Sequence, residues 1–406
     1  MGLVSRAMVN PDRMGKILKR WRERSVLARN FLLDGLVSVL PRRSPVRQKK
    51  PSVMLVRLDA IGDFVLWLDA GAALRDRYPS DRYRLVLVAN SLWADLASQQ
   101  PFFDQVISVD VKRLMRDLAY RFDLWWRLRC LRCEVAVNPT FSRHFPCDDA
   151  VIRVCGASER IGFQGDLANQ RRWEMAISNR WYTRLIPAVD RQRMELERNA
   201  EFVRGLGLSA FRPALPELVV AAGLPAELAA ERYHVVVLGA GKALRQWPVE
   251  KYAALVQRIW DVYRVKAVIC GARGEEYLGY RLQSLLPDSV QVTDLTGSTT
   301  LAEFAAVIKG AEMLVANESS AIHIAAAVGT RSICLTGGGH YGRFVPYRLE
   351  GSTGRVLPVT VEHRMECYNC NWTCIYPCRD AAAPCLEGID VDEVWRKVQA
   401  LLEPPP

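Results

Sequence analysis

The chain has no apolar run long enough to cross a bilayer. Its best stretch, residues 26–40, is short and carries Arg29 and Asp34. The same two charges argue against a secretory leader, and no small-residue cleavage site clearly follows. The expectation is a cytoplasmic protein. Its cysteines do not form an even set: 11 of them, an odd number, do not suit a simple disulfide scaffold. Beyond residue 50 the chain also lacks a charge excess. It holds 42 Lys/Arg against 41 Asp/Glu there, a net of +1, so nucleic acid is not an expected partner.

The basicity sits in the first 50 residues, where 13 Lys/Arg face 3 Asp/Glu, a net of +10. Met14, Ile17, Leu18, Trp21, Ala28, Leu32, Leu36 and Val39 recur at helical spacing, with Ser25 interrupting the face. Arg13, Lys16, Lys19, Arg20, Arg24 and Arg29 mostly fall elsewhere on the wheel. Such a basic amphipathic helix suits an anionic membrane surface, and the expected location is peripheral to the inner membrane. The competing reading is a helix packed on the body with its charges in water.

Half of the 406 residues are apolar, enough for roughly two or three domains. After a Pro/Arg/Lys linker at 41–50, strand-like runs at 53–58, 83–88, 106–109 and 134–138 alternate with helical patterns at 63–77, 92–99 and 114–132. A second series begins after the proline-spaced stretch 213–225. Its strands read at 233–238, 267–270, 290–294, 313–316 and 332–335, and its helices at 248–262, 274–286, 301–309 and 322–328. Alternation of this kind predicts an α/β chain with two doubly wound parallel sheets. The expected division is 1–50 extension and linker, 51–212 first domain, 213–231 linker, 232–385 second domain and 386–406 terminal helix. Ligands bind beyond the carboxyl ends of such strands, so the loops there hold the chemistry.

Four of those loops stand out. Residues 313–330 read as strand, polar loop Asn317-Glu318-Ser319-Ser320 and an alanine-rich helix ended by Gly329. Free N–H groups at that helix start suit a phosphate; the alternative is a pair of serines that only cap the helix. His323, one turn in, is a phosphate ligand or a packed core histidine, and taken alone the core reading is favoured. Arg57-Leu58-Asp59-Ala60-Ile61-Gly62-Asp63 is a strand-to-helix turn. Its Asp63 is either a helix cap or a base that accepts a hydroxyl proton. In residues 239–248, Gly241 allows close backbone approach, and Lys242 and Arg245 suit phosphate pairing or plain solvation. In 271–276, Glu275 or Glu276 suits a ribose hydroxyl or the helix dipole.

Together these motifs resemble glycosyltransferase family nine, which contains the bacterial lipopolysaccharide heptosyltransferases. The resemblance spans about residues 53–400. It rests on Val56-Arg-Leu-Asp-Ala-Ile-Gly-Asp63, Arg245-Gln-Trp-Pro248, Asp294-Leu-Thr-Gly297 followed by Leu301, and the loop 317–325. It implies a GT-B fold and inverting transfer from ADP-L-glycero-D-manno-heptose, an ADP-sugar donor, to a lipopolysaccharide core acceptor. It implies Asp63 as general base and Arg245 as the phosphate cation, with Arg57 and Gly62 on the acceptor side. Gly241, Lys242, Glu275, Glu276, Glu318, Ser319, Ser320 and His323 would face the donor. It also implies a helix at 391–402 that returns to the first domain. The chain departs from the family pattern at Glu318, Ser320 and Ala321, and in having Thr336 and three glycines where a Phe-Gly turn is usual. No metal is required for this chemistry. A nucleotide-sugar epimerase and a non-catalytic membrane-surface binding protein are the alternative classes.

The last motif is Cys367-x2-Cys370-x3-Cys374-x3-Cys378, with Cys385 beyond it. That spacing suits thiolates around a structural Zn or Fe ion, or simply a set of packed thiols.

Overall fold

The computed structural model describes residues 11–41, 49–189, 192–349, 355–378 and 380–403, with the side chains of 11–20, 22 and 23 left out. Two six-stranded parallel sheets form. The first contains β1 Ser52–Arg57, β2 Arg84–Asn90, β3 Gln105–Val109, β4 Val135–Asn138, β5 Glu159–Phe163 and β6 Arg184–Ile186, in the order β3-β2-β1-β4-β5-β6. The second contains β7 Tyr233–Val237, β8 Lys266–Cys270, β9 Val292–Asp294, β10 Met313–Asn317, β11 Ser332–Thr336 and β12 Val359–Glu362, in the order β12-β11-β10-β7-β8-β9. Their central strands are buried on both faces, which is why they read as unbroken apolar runs rather than alternating ones.

Contacts divide the chain into two compact units. One takes the residues up to Leu58, Tyr78–Ser91 and Asp104–Ala188, and holds the first sheet. The other takes Asp59–Arg77, Leu92–Phe103 and the residues from Val189 on, and holds the second. Helix Ile61–Arg77 groups with this second unit because it packs on helices Glu195–Gly205 and Ser320–Val328.

In the first unit, helix Pro11–Val39 packs on helices Leu118–Cys130 and Asp148–Cys155. Its inward residues are Asn30, Asp34 and Val37. Asp34 receives Arg121 in a two-pronged pair, Nε and Nη2 each at 2.7 Å, and the Trp125 indole N–H at 2.6 Å. Leu32, Leu36 and Val39 are 72%, 59% and 78% exposed, and Trp21 lies out as well. The helix thus packs on the body, but through a different face from the apolar stripe. Met14, Ile17 and Leu18, with Arg13, Lys16, Lys19 and Arg20, lie outside the described side chains, and linker residues 42–48 outside the described residues.

Two further expectations are corrected. The helical run expected over 114–132 is two helices, Val111–Arg116 and Leu118–Cys130. Asp117 breaks it, because its carboxylate accepts the Tyr120 amide and caps the second helix. The terminal helix Val391–Leu402, expected to return to the first domain, groups with the second unit. It buries Val394, Trp395 and Val398 in the core of the second, beside helix Val249–Tyr263. Its apolar face supplies the reason, since each fully buried side chain of this kind contributes about 1.5–3 kcal/mol.

The Asp34 pair is buried, so removing one partner strands a charge. Asp34→Ala is expected to destabilise the protein by about 3–5 kcal/mol. Urea unfolding followed by tryptophan fluorescence measures this; a change within about 0.5 kcal/mol, the range of ordinary surface substitutions, would refute it.

Candidate functional site

In the second sheet the chain runs outward from β7 to β8 and β9, then crosses back to β10. The reversal between β7 and β10 is the place where ligands settle in open α/β sheets. A cavity of about 510 Å³ opens there, inside the second unit. Gly239 and Gly241 line it after β7, Gly271 and Glu275 after β8, Thr300 at the next helix start, and Ser319 and Ser320 after β10. Its volume falls in the range of small-molecule and cofactor sites.

The loops are locked together by Asn317, the last residue of β10. Its Oδ1 accepts the Trp247 amide at 2.8 Å, and its Nδ2 donates to the Leu238 carbonyl at 2.7 Å. Trp247 is itself buried, with its indole N–H on the Ile389 carbonyl. These bonds carry the loop 239–248 to the edge of the cavity. Gly241 has φ +71°, a turn that favours glycine.

Ser319 precedes helix Ser320–Val328 with extended backbone, φ −150°. Its side chain makes no capping bond, and its Oγ is buried without a hydrogen-bond partner. The serine is therefore not spent on capping the helix; its hydroxyl stays available beside the helix N–H groups.

Next to it, Glu318 is buried, with Oε2 unpartnered. Burial pushes its carboxyl up to about 7, opposed by the nearby Arg245 cation. Arg245 closes a short turn, Ala243–Arg245, and its Nη2 donates to the Glu318 carbonyl at 3.0 Å. Lys242 is exposed.

The two acidic candidates after β8 separate. Glu275 lines the cavity but folds back, with Oε2 on the Ala272 amide at 2.8 Å. Glu276 turns toward Gly297 instead, and takes the Gly274 amide at 2.7 Å.

His323 lies in the packed interior, outside the cavity lining. Its Nδ1 meets the Tyr347 hydroxyl at 2.8 Å, and burial pulls its pKa down to about 4, so the ring is neutral. A Cβ on Gly62 would come within 3.0 Å of the His323 ring, and 3.8 Å from the Ser320 Cα. Glycine thus lets the first turn of helix Ile61–Arg77 lie directly on helix Ser320–Val328, and Asp63 is the next residue in that turn. The turn is braced by Trp93, whose indole donates to the Asp59 carbonyl and whose ring stacks on Phe64 at 4.2 Å. Arg57 is buried at the end of β1, in the other unit.

Sequence reasoning missed Asn317 as the organiser and Thr300 as a lining residue. Thr300 was findable, since Thr300-Leu301-Ala302-Glu303 is a capping box whose reciprocal bonds both form. Asn317 carried no such local signal, because both its partners are about 70 or more residues away. Among the described residues no three His, Cys, Asp or Glu side chains are grouped as metal ligands, the tail cysteines included. Burial and the neighbouring Cys374 thiol push Cys378 up to about 11.

Residues 149–363 match the model of glycosyltransferase family 9 (heptosyltransferase). Three solved structures share the fold. ADP-heptose lps heptosyltransferase II of E. coli is 19% identical, covering 86% of this chain and 98% of its own, with a TM-score of 0.65. A glycosyl transferase family 9 protein of Veillonella parvula is 14% identical, covering 87% and 97%, with a TM-score of 0.67. The E. coli heptosyltransferase WaaC with ADP is 16% identical, covering 86% and 99%, with a TM-score of 0.63. No curated protein matches the sequence. The two parallel sheets are those of the GT-B fold, and with the family match spanning more than half of its length, this chain is a glycosyltransferase and belongs to family 9.

Proposed function

We propose that the enzyme transfers a sugar, with inversion, from a nucleotide-diphosphate donor held in the second-sheet cavity. The observation that carries this is the unpaired Ser319 hydroxyl at a helix start, beside Arg245 and inside a cavity at the strand-order reversal. As the glycosidic bond breaks, negative charge grows on the departing diphosphate. Helix N–H groups and a guanidinium are the groups that stabilise it there. The acceptor hydroxyl attacks the anomeric carbon from the opposite face and gives its proton to Asp63. Glu275, which lines the cavity, would meet the nucleotide's ribose. We propose ADP-L-glycero-D-manno-heptose as donor and a lipopolysaccharide core sugar as acceptor; two of the similar structures are named for ADP-heptose transfer or hold ADP.

Glu318 fits a site for anions when it is protonated, since a neutral carboxyl does not repel a diphosphate. An anion beside it raises its pKa further, so binding takes up a proton. The sign follows: affinity is full below about pH 7 and falls as pH rises through the Glu318 pKa.

The outward stripe of the N-terminal helix, Trp21, Leu32, Leu36 and Val39 with Arg24, supports docking on an anionic membrane surface at the cytoplasmic face of the inner membrane. No described helix is long and apolar enough to span one.

Three outcomes are expected. Asp63→Ala lowers transfer by about 10²–10⁴ while calorimetry shows ADP-sugar binding intact; full activity in that variant would end the base assignment. Glu318→Gln flattens the fall in ADP affinity between pH 6 and 8.5 relative to the unaltered enzyme, and identical pH slopes for the two proteins would contradict the role given to Glu318. Leu32→Asp with Leu36→Asp releases the protein from phosphatidylglycerol vesicles in a sedimentation assay, with transfer to a soluble acceptor unchanged; undiminished vesicle binding would refute the docking face.

A further inference from the structure

The cysteine-rich segment is absorbed by neither the fold argument nor the chemistry above, yet it is built against the site. Residues 367–378 lie along the three glycines after β11. The Asn369 amide donates to the Gly338 carbonyl at 2.6 Å, and the Asn371 amide to the Gly339 carbonyl at 3.0 Å. His340 Nε2 meets Asn371 Oδ1 at 2.7 Å. The glycines are needed because aromatic rings sit on them: a Cβ at Gly337 or Gly339 would overlap the Trp372 indole, and one at Gly338 the Tyr368 ring.

The backbone that presents Trp372 is unusual. Asn369, Asn371 and Trp372 have φ of +68°, +50° and +57°. Left-handed backbone is uncommon for a residue with a bulky side chain, and such conformations persist only where the surroundings enforce them. The same tryptophan meets the donor site. The Arg245 guanidinium carbon lies 5.0 Å from the Trp372 ring centroid. Arg245 otherwise bonds the Glu318 carbonyl through Nη2, and its Nε is buried without a partner. One hydrogen bond leaves a long side chain free to swing; a ring face beneath the guanidinium limits that freedom.

We propose that Trp372 is a positioning residue for Arg245, and that the cysteine-rich segment is the platform that holds it for binding a nucleotide diphosphate. This rests on the reading of Arg245 as the diphosphate cation. The three glycines, which depart from the family pattern, are then explained as the seat of that platform. By fixing the guanidinium before the ligand arrives, Trp372 removes an ordering cost that binding would otherwise carry.

The test is ADP binding by calorimetry, with donor and acceptor KM, for the unaltered enzyme, Trp372→Leu, Trp372→Phe, Arg245→Ala and the Trp372→Leu/Arg245→Ala double variant. Leucine fills the glycine seat without offering a π face, so it guards against simple unfolding. Trp372→Leu is expected to weaken ADP binding by about fivefold to tenfold and to raise the donor KM by a similar factor, leaving the acceptor KM unchanged. Trp372→Phe recovers most of the loss. In the Arg245→Ala background, Trp372→Leu adds no further loss. Equal losses in both backgrounds, or a phenylalanine variant as weak as the leucine one, would overturn the positioning role while leaving Arg245 in place. If Arg245→Ala binds ADP as the unaltered enzyme does, the reading of Arg245 falls and this proposal falls with it.

Discussion

The Asn317 carboxamide bonds the Trp247 amide on one side and the Leu238 carbonyl on the other, with all three residues shut away from water. Leaving either partner unpaired in that interior would cost about 1–3 kcal/mol, so the two bonds act as a clamp. Through them the end of β10, the end of β7 and the loop bearing Arg245 share one geometry. Ser319 and the helix start follow two residues later along the same chain. The positions of Arg245 and of the Ser319 loop are thus set by a single side chain that lies outside the cavity lining.

Around that clamp the structure leaves several buried polar atoms without partners. Ser319 Oγ, Glu318 Oε2 and Arg245 Nε are buried without partners within one short stretch of surface. The Glu276 carboxylate, outside the cavity lining, is by contrast occupied by the Gly274 amide. Buried unsatisfied groups are uncommon in folded proteins, and their clustering marks a place where strain is accepted for function. Glu318 shows how such a position is tolerated: with its pKa near 7 it need not carry a charge into the interior.

Much of this was legible before the structure. Strands such as Met313–Asn317 are buried on both faces, so their apolar runs announced themselves, and Gly62-Asp63 and Pro248 marked helix starts to within two residues. What local pattern missed depended on partners distant in the chain. Asp34 read as a charge that spoils a membrane span; its meaning lay in Arg121, 87 residues away. His323 is a case where two readings were open in the sequence, and the Tyr347 hydroxyl with Gly62 packed on its ring puts it in the core. The tail-cysteine spacing carried no sign that its loop follows the glycines through Tyr368 and Trp372, a packing set by residues about 30 positions away.

The N-terminal helix carries two faces of opposite kind. Its outer stripe is apolar, and it is the obvious segment to trim from a protein that clings to membranes or to itself. Its inner face, however, carries the carboxylate on which Arg121 and the Trp125 indole depend. Trimming it would leave a guanidinium and an indole N–H facing an opened hydrophobic surface in the first unit. The shortened protein would be less hydrophobic on the outside and less stable within, so solubility in this enzyme is better sought by changing the outer stripe than by shortening the chain.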